Sequence, residues 1–315
     1  MSKLGILYDE RYKQHITEED HAERPARLDA IRAAADAHDL IQPSTRIEPV
    51  LMTEQQLQRV HSASYLTRLE SACRQAWPTI DSPDCPISPE SWHVARLAAG
   101  GTAKAARLVA EGELRRAFCA IRPPGHHAEI DCAAGFCLFN NVALAARMLQ
   151  DAHGYERILI LDFDVHHGNG TQHIFEYDPS VLYVSLHGHP LHLYPHTGYE
   201  EETGEGPGRG YTINIPLMPD TDDDAYRAAF SQRIVPEIER YAPQFFLISS
   251  GFDAHMDDPL GNLGLTDGAF AWITETLVTL ADRLAGGRLV SVLEGGYNLG
   301  VLERCVGEHL RILGK

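Results

Sequence analysis

Seven short apolar runs punctuate this chain, with stretches of helical spacing between them. The predicted strands are Leu4–Tyr8, Ala117–Ile121, Arg157–Phe163, Val181–Leu186, Tyr211–Ile215, Phe245–Ser249 and Leu289–Leu293. Predicted helices include Ala26–His38, Glu90–Glu111, Asn141–His153, Asp222–Tyr241 and Asp267–Leu284. Parallel neighbours need a long crossover between them, and a helix is the usual one. The alternation therefore predicts an α/β fold with a mostly parallel sheet covered on both faces. No repeat, low-complexity tract or linker-like shift interrupts the 315 residues, so a single domain over 1–315 is expected.

Composition narrows the classes. No apolar stretch approaches the ~20 residues needed to span a bilayer, so no membrane association is expected. Met1–Asp9 lacks the apolar region and cleavage site of a signal peptide and reads as a first strand, which places the protein in the cytoplasm. The six cysteines show no C-x-x-C spacing and are expected to be free and mostly buried. A net charge of −17 argues against direct nucleic-acid binding. It suits cationic partners such as lysine-rich peptides or polyamines, and it equally serves solubility.

Four predicted strands run into polar, glycine-rich segments. These are Arg122-Pro123-Pro124-Gly125-His126-His127, Asp162-Phe163-Asp164-Val165-His166-His167-Gly168-Asn169-Gly170, Gly251-Phe252-Asp253-Ala254-His255 and Glu294-Gly295-Gly296-Tyr297-Asn298. Ligands of open parallel sheets bind at the carboxyl ends of the strands, so four independent segments point at one rim. Asp164 and His166, two apart at a strand end, can face one ion, and Asp253 can supply a third ligand. The pair could instead hydrogen-bond loop backbone; convergence of the other segments favours a metal. His126 and His127 have candidate orienting partners in Asp162 and Asn169, and unlike partners should separate their proton affinities. Gly295-Gly296 would let Tyr297 swing towards a substrate oxygen, although an isolated Gly-Gly-Tyr reads more readily as a packed aromatic beside a turn. Together these residues compose metal-assisted hydrolysis, with an imidazole base and a phenol holding the oxyanion.

The segments 122–128 (RPPGHHA), 135–141 (GFCLFNN), 162–171 (DFDVHHGNGT), 251–260 (GFDAHMDDPL) and 294–298 (EGGYN), in this order, resemble the zinc-dependent histone deacetylase family. RPPGHHAE and HHGNG resemble its class II branch and bacterial amidohydrolase relatives. The resemblance implies the arginase/deacetylase fold, one domain around an eight-stranded parallel sheet, and hydrolysis of an acyl group from a lysine-like amine. It implies one zinc per site on Asp164, His166 and Asp253, with His127 as general base and then acid. Asp162 would back His126, Asn169 would stand where class I relatives place an Asp behind His127, and Tyr297 would polarise the carbonyl. The channel would be walled by Phe136 and Tyr194, a Tyr where the family usually has Phe, with Asp84 at the rim. Arg27 would sit in an inner cavity where acetate leaves. Two structural potassium sites are implied, one on Asp162, Asp164, His166, Ser185 and Leu186, the other on Phe175, Asp178, Val181 and Tyr211.

Within the family the rival reading is an acetylpolyamine amidohydrolase, which the acidic charge would suit. Leu260 stands against it, because it occupies the position of a gatekeeper Glu in a polyamine-selective relative. No long insertion narrows the entrance, although contacts within a homo-oligomer would do so. A two-metal ureohydrolase would leave His126, His127 and Tyr297 without a role. A binding module without catalysis would not need every chemical position filled.

Overall fold

The computed structural model describes residues 4–37 and 45–315. Its strands are β1 (Leu4–Tyr8), β2 (Arg46–Ile47), β3 (Thr79–Ile80), β4 (Ser82–Pro86), β5 (Arg116–Ala120), β6 (Ile158–Asp162), β7 (Val181–Gly188), β8 (Thr212–Leu217), β9 (Phe245–Ser250) and β10 (Leu289–Leu293). Eight of them form one sheet in the order β2-β1-β5-β10-β9-β6-β7-β8, with every pairing parallel; β3 and β4 form a separate antiparallel hairpin. The α/β architecture expected from the alternation is observed. Every residue of β1, β5, β6, β7, β9 and β10 is buried, so helices cover both faces and the strands are apolar runs rather than alternating ones.

Two differences from the predicted elements have physical causes. The segment Asp222–Tyr241 is not one helix but Asp223–Ala229, a π turn at Phe230–Ile234, and Val235–Tyr241. Pro236 has no N–H for the carbonyl of Gln232 and its ring crowds that turn, so the ladder widens there. The two-residue strand β2 was not predicted, because two residues carry no periodicity. The predicted helix at Ala26–His38 is observed over Ala26–Ala37, and His38 lies outside the described residues. Helices Ala63–Arg74 and Leu299–Leu313 were also missed. No helix among the described residues is long and apolar enough to cross a membrane.

The register aligns the strand ends that matter. Asp162 pairs with Ser249 on one side and Ser185 on the other, Leu293 pairs with Ser250, and Val292 with Cys119. The polar segments after β5, β6, β9 and β10 therefore leave the sheet at one level.

The protein also buries several neutral histidines. Burial pushes His15, His61 and His187 down to about 4 and His309 to about 3. His309 is typical: its two ring nitrogens meet Thr274 Oγ1 and Ser291 Oγ, both at 2.8 Å, inside a cage of Phe118, Phe163 and Phe252. The unfolded chain takes up these protons as pH falls through about 6.5, whereas the folded chain refuses them until about 4. Stability is thus complete above pH ~6.5 and lost from there down to ~4, each group costing on the order of a few kcal/mol. The melting temperature should fall steeply across this window, and a flat profile between pH 7 and 4.5 would contradict the assignment.

Candidate active site

The strand β6 stops at Asp162, so Asp164 and His166 lie in the loop beyond it rather than on the strand face expected from their spacing. Two carboxylates curl that loop. Asp162 Oδ1 accepts the Asp164 N–H (3.1 Å), and Asp164 Oδ1 accepts the His166 N–H (2.9 Å), each an Asx-type turn. Asp253, just beyond β9, reaches across and accepts the Val165 N–H (3.0 Å). His166 Nδ1 then lies 3.1 Å from Asp164 Oδ1 and 3.2 Å from Asp253 Oδ2. Ligand atoms of all three buried residues lie within 4.8 Å of one another. Burial and the charge of Asp164 push the Asp253 carboxyl up to about 7. Buried, anionic, and built from carboxylate and imidazole donors, the trio fits a divalent ion such as zinc. A second trio, His126, Cys137 and Glu294, also converges. Its members are spoken for: Glu294 accepts the N–H groups of Gly125 and His126 and the Ser249 hydroxyl, and burial keeps the Cys137 thiol protonated.

The tandem histidines are held by unlike partners. His126 Nδ1 lies 2.9 Å from Asp162 Oδ2, and His127 Nδ1 lies 2.7 Å from Asn169 Oδ1. Burial opposes charge on both rings. For His126, the carboxylates of Asp162 and Asp164 overcome burial and push it up to about 10. For His127 nothing does: burial, then the neighbouring His126 and His166, hold it well below the usual range. The unlike surroundings favour the cation at His126 and the neutral acceptor at His127, the separation a proton-transfer pair uses.

Tyr297 is packed on several sides. Its N–H donates to Asp258 Oδ2 (2.7 Å), its ring stands edge-on to Phe136 (5.9 Å), and the Arg27 guanidinium lies 5.1 Å from the ring centroid. The glycines before it answer a close approach instead. A Cβ on Gly295 would lie 2.0 Å from Asp253 Oδ2, and Gly296 has φ +116°. Arg27 is fully engaged, with Nε on Gly296 O (2.7 Å), Nη2 on Glu294 O (2.5 Å) and Nη1 on Glu23 Oε1 (3.2 Å). It braces the Gly-Gly-Tyr segment from below. Glu23 also pairs with Arg122, the first residue of the tandem-histidine loop.

A channel of about 250 Å³ leads to these groups. Phe136, Leu193, Tyr194 and Leu260 wall it, Asp84 contributes one carboxylate, and His127, His166 and Tyr297 lie along it. Gly135 permits the packing at its base, because a Cβ there would meet the His127 ring at 2.2 Å. Asp84 Oδ1 is buried without a hydrogen-bond partner. In the first set expected for potassium, Asp162 at the end of β6 pairs with Ser185 within β7, and Ser185 Oγ lies 2.8 Å from His187 Nδ1. In the second, the carbonyls of Phe175, Asp178 and Tyr211 each accept one backbone N–H, from Asp178, Val181 and Tyr183. Glu23, Glu129, Asp258 and Glu294 received no role from the sequence. Glu129, Asp258 and Glu294 lie inside or beside the quoted motifs and Glu23 lies four residues before Arg27, but spacing does not say which backbone N–H or side chain each one meets.

A parallel sheet with this constellation at one rim defines a hydrolytic deacetylase. The histone deacetylase domain family matches residues 21–313, and the chain belongs to that family. It is 40% identical to a probable deacetylase of Archaeoglobus fulgidus, over 96% of this chain and 86% of that protein. It is 39% identical to the histone deacetylase-like amidohydrolase of Pseudomonas aeruginosa, over 90% of this chain and 74% of that one. The match to histone deacetylase 15 of Arabidopsis thaliana is 38% identical, spanning 99% of this chain and 57% of the plant protein. The crystal structure of the HDA15 HD domain superposes with a TM-score of 0.93 at 37% identity, over 99% of this chain and 90% of that one.

Proposed function

We propose that the chain acts as one deacetylase domain that removes acetyl or another short acyl group from the ε-amine of lysine in peptides or proteins. The observation that carries this is the channel wall. It is aromatic and aliphatic, walled by Phe136, Leu193, Tyr194 and Leu260, and its carboxylate is that of Asp84. A four-carbon lysine stem suits such a wall. Asp84 lines the channel, and its carboxylate would accept a peptide N–H of the substrate.

Asp164, His166 and Asp253 would hold one zinc ion, which when bound polarises the amide carbonyl and acidifies a water. His127 accepts the proton of the attacking water at Nε2, because its Nδ1 faces Asn169. The Tyr297 hydroxyl donates to the carbonyl oxygen as that atom gains charge. The water oxygen bonds to the carbonyl carbon, the C–N bond breaks, and His127 returns its proton to the departing amine. His126 stays protonated beside Asp162 and stabilises the negative charge that develops nearby. Potassium on the two carbonyl-rich sets and a cytoplasmic location belong to the same reading; six unpaired thiols support a reducing compartment.

The test compares kcat/KM for acetyl-lysine peptides with acetylputrescine and acetylspermidine. The peptides should win; an advantage of ~100-fold for the polyamines would overturn the substrate assignment.

A further inference from the structure

The tandem-histidine loop carries a carboxylate that the reaction above does not use. Glu129 lies two residues after His127, and Asn169 stands between the two side chains. Asn169 Oδ1 lies 2.7 Å from His127 Nδ1, while its Nδ2 donates to Glu129 Oε1 at 2.6 Å. The same Oε1 also meets His173 Nδ1 at 2.8 Å. The backbone of Glu129 is pinned as well: its N–H donates to Cys132 O (3.0 Å), and its carbonyl meets His61 Nδ1 (2.8 Å). His61 in turn accepts the Asn140 N–H at Nε2 (3.0 Å), which makes Nδ1 its donor.

A primary amide turned by half a revolution fills nearly the same space with donor and acceptor exchanged. Asn169 by itself would therefore satisfy His127 in either orientation. With Oδ1 towards the ring, Nδ1 must carry the proton and Nε2 is a bare acceptor. With Nδ2 towards the ring, Nδ1 must be bare and the proton moves to Nε2, where it blocks the base. A carboxylate only accepts, so Glu129 repels the amide oxygen and attracts the NH2.

We propose that Glu129 is the positioning residue that sets the His127 tautomer, acting through the amide of Asn169. This rests on the reading of His127 as the base. The arrangement differs from that of His126, which touches its carboxylate directly. Behind His127 the negative charge stands one amide away, so the ring is oriented without an adjacent charge to make it a permanent cation.

The test is a set of single and double variants assayed on an acetyl-lysine peptide, with metal content and melting temperature measured on each. Glu129→Leu should lower kcat by about 10–100-fold. KM should stay within about 2-fold of the parent, because Glu129 does not line the channel. Glu129→Gln should cost less. Asn169→Asp places a carboxylate against Glu129 and should also be impaired. In the Asn169→Asp background, however, Glu129→Gln should raise kcat by ~10-fold, because the new amide donates inward and the chain to His127 is rebuilt. This reversal of sign is not expected of residues that merely support the fold. If the Glu129 variants keep the parental kcat, or if the double variant is no better than Asn169→Asp, the inference fails while a dead His127→Ala leaves the base assignment standing. Should His127→Ala itself keep its kcat, the base assignment fails instead.

Discussion

Tyr297→Phe is expected to lower kcat by about 10²–10³ with little change in KM, the loss typical of one oxyanion donor. The substitution isolates the hydroxyl because everything else that holds the side chain survives it. The Asp258 contact is made by the backbone N–H, and the Phe136 and Arg27 contacts are made by the ring. Burial first, then the charges of Asp253 and Asp164, raise the phenol well above its ordinary value, so it remains a donor throughout any workable pH range. Steady-state kinetics on an acetyl-lysine peptide, with the melting temperature as control, decides the matter. A variant with the parental kcat removes Tyr297 from the reaction.

The second large effect concerns Asp253→Asn. An asparagine oxygen can still accept the Val165 N–H that Asp253 Oδ1 accepts now, so the loop is retained while one ligand charge is lost. Metal content should fall well below one ion per chain. The rate should fall by ~10³ or more, since a Lewis acid at the carbonyl is worth several kcal/mol. The metal-free variant should melt no lower than the metal-free parent, because the substitution removes a carboxyl that burial and then repulsion from Asp164 push up to about 7. Elemental analysis alongside kcat checks the first part. Retention of one tightly held ion together with full activity would exclude Asp253 as a ligand.

Much of the site was legible in the order of residues because each quoted segment directly follows an apolar run. Asp164, His166 and Asp253 could be grouped because parallel strands that end level must bring their trailing loops together. Asp162 and Asn169 could be paired with the histidines from side-chain chemistry alone. The reason for Gly295-Gly296 was not legible: the pair read as freedom for Tyr297, whereas the structure uses it to admit the carboxylate of Asp253 and to turn the chain. The resemblance offered Arg27 as a cavity residue, and its bonds to the carbonyls of Glu294 and Gly296 could not be read from the sequence. The helix through Pro236 and the two-residue strand β2 were lost for a simpler reason. The first is a local break inside an otherwise helical pattern, and the second is too short to have a pattern.

The sequence by itself determined the class of fold, the chemical identity of the groups at the rim, and the family. Apolar periodicity and residue type are local properties, and both survive in a linear string. Only the tertiary structure decided how those groups are held. Glu294 accepts the N–H groups of Gly125 and His126 from the end of another strand, and Asp258 fixes Tyr297 from a different loop. Glu129 meets Asn169 forty residues further along the chain. The physical reason is that a buried polar atom takes whichever partner the packed sheet brings within hydrogen-bond distance. That choice depends on strand order and register, which the chain acquires only when it folds.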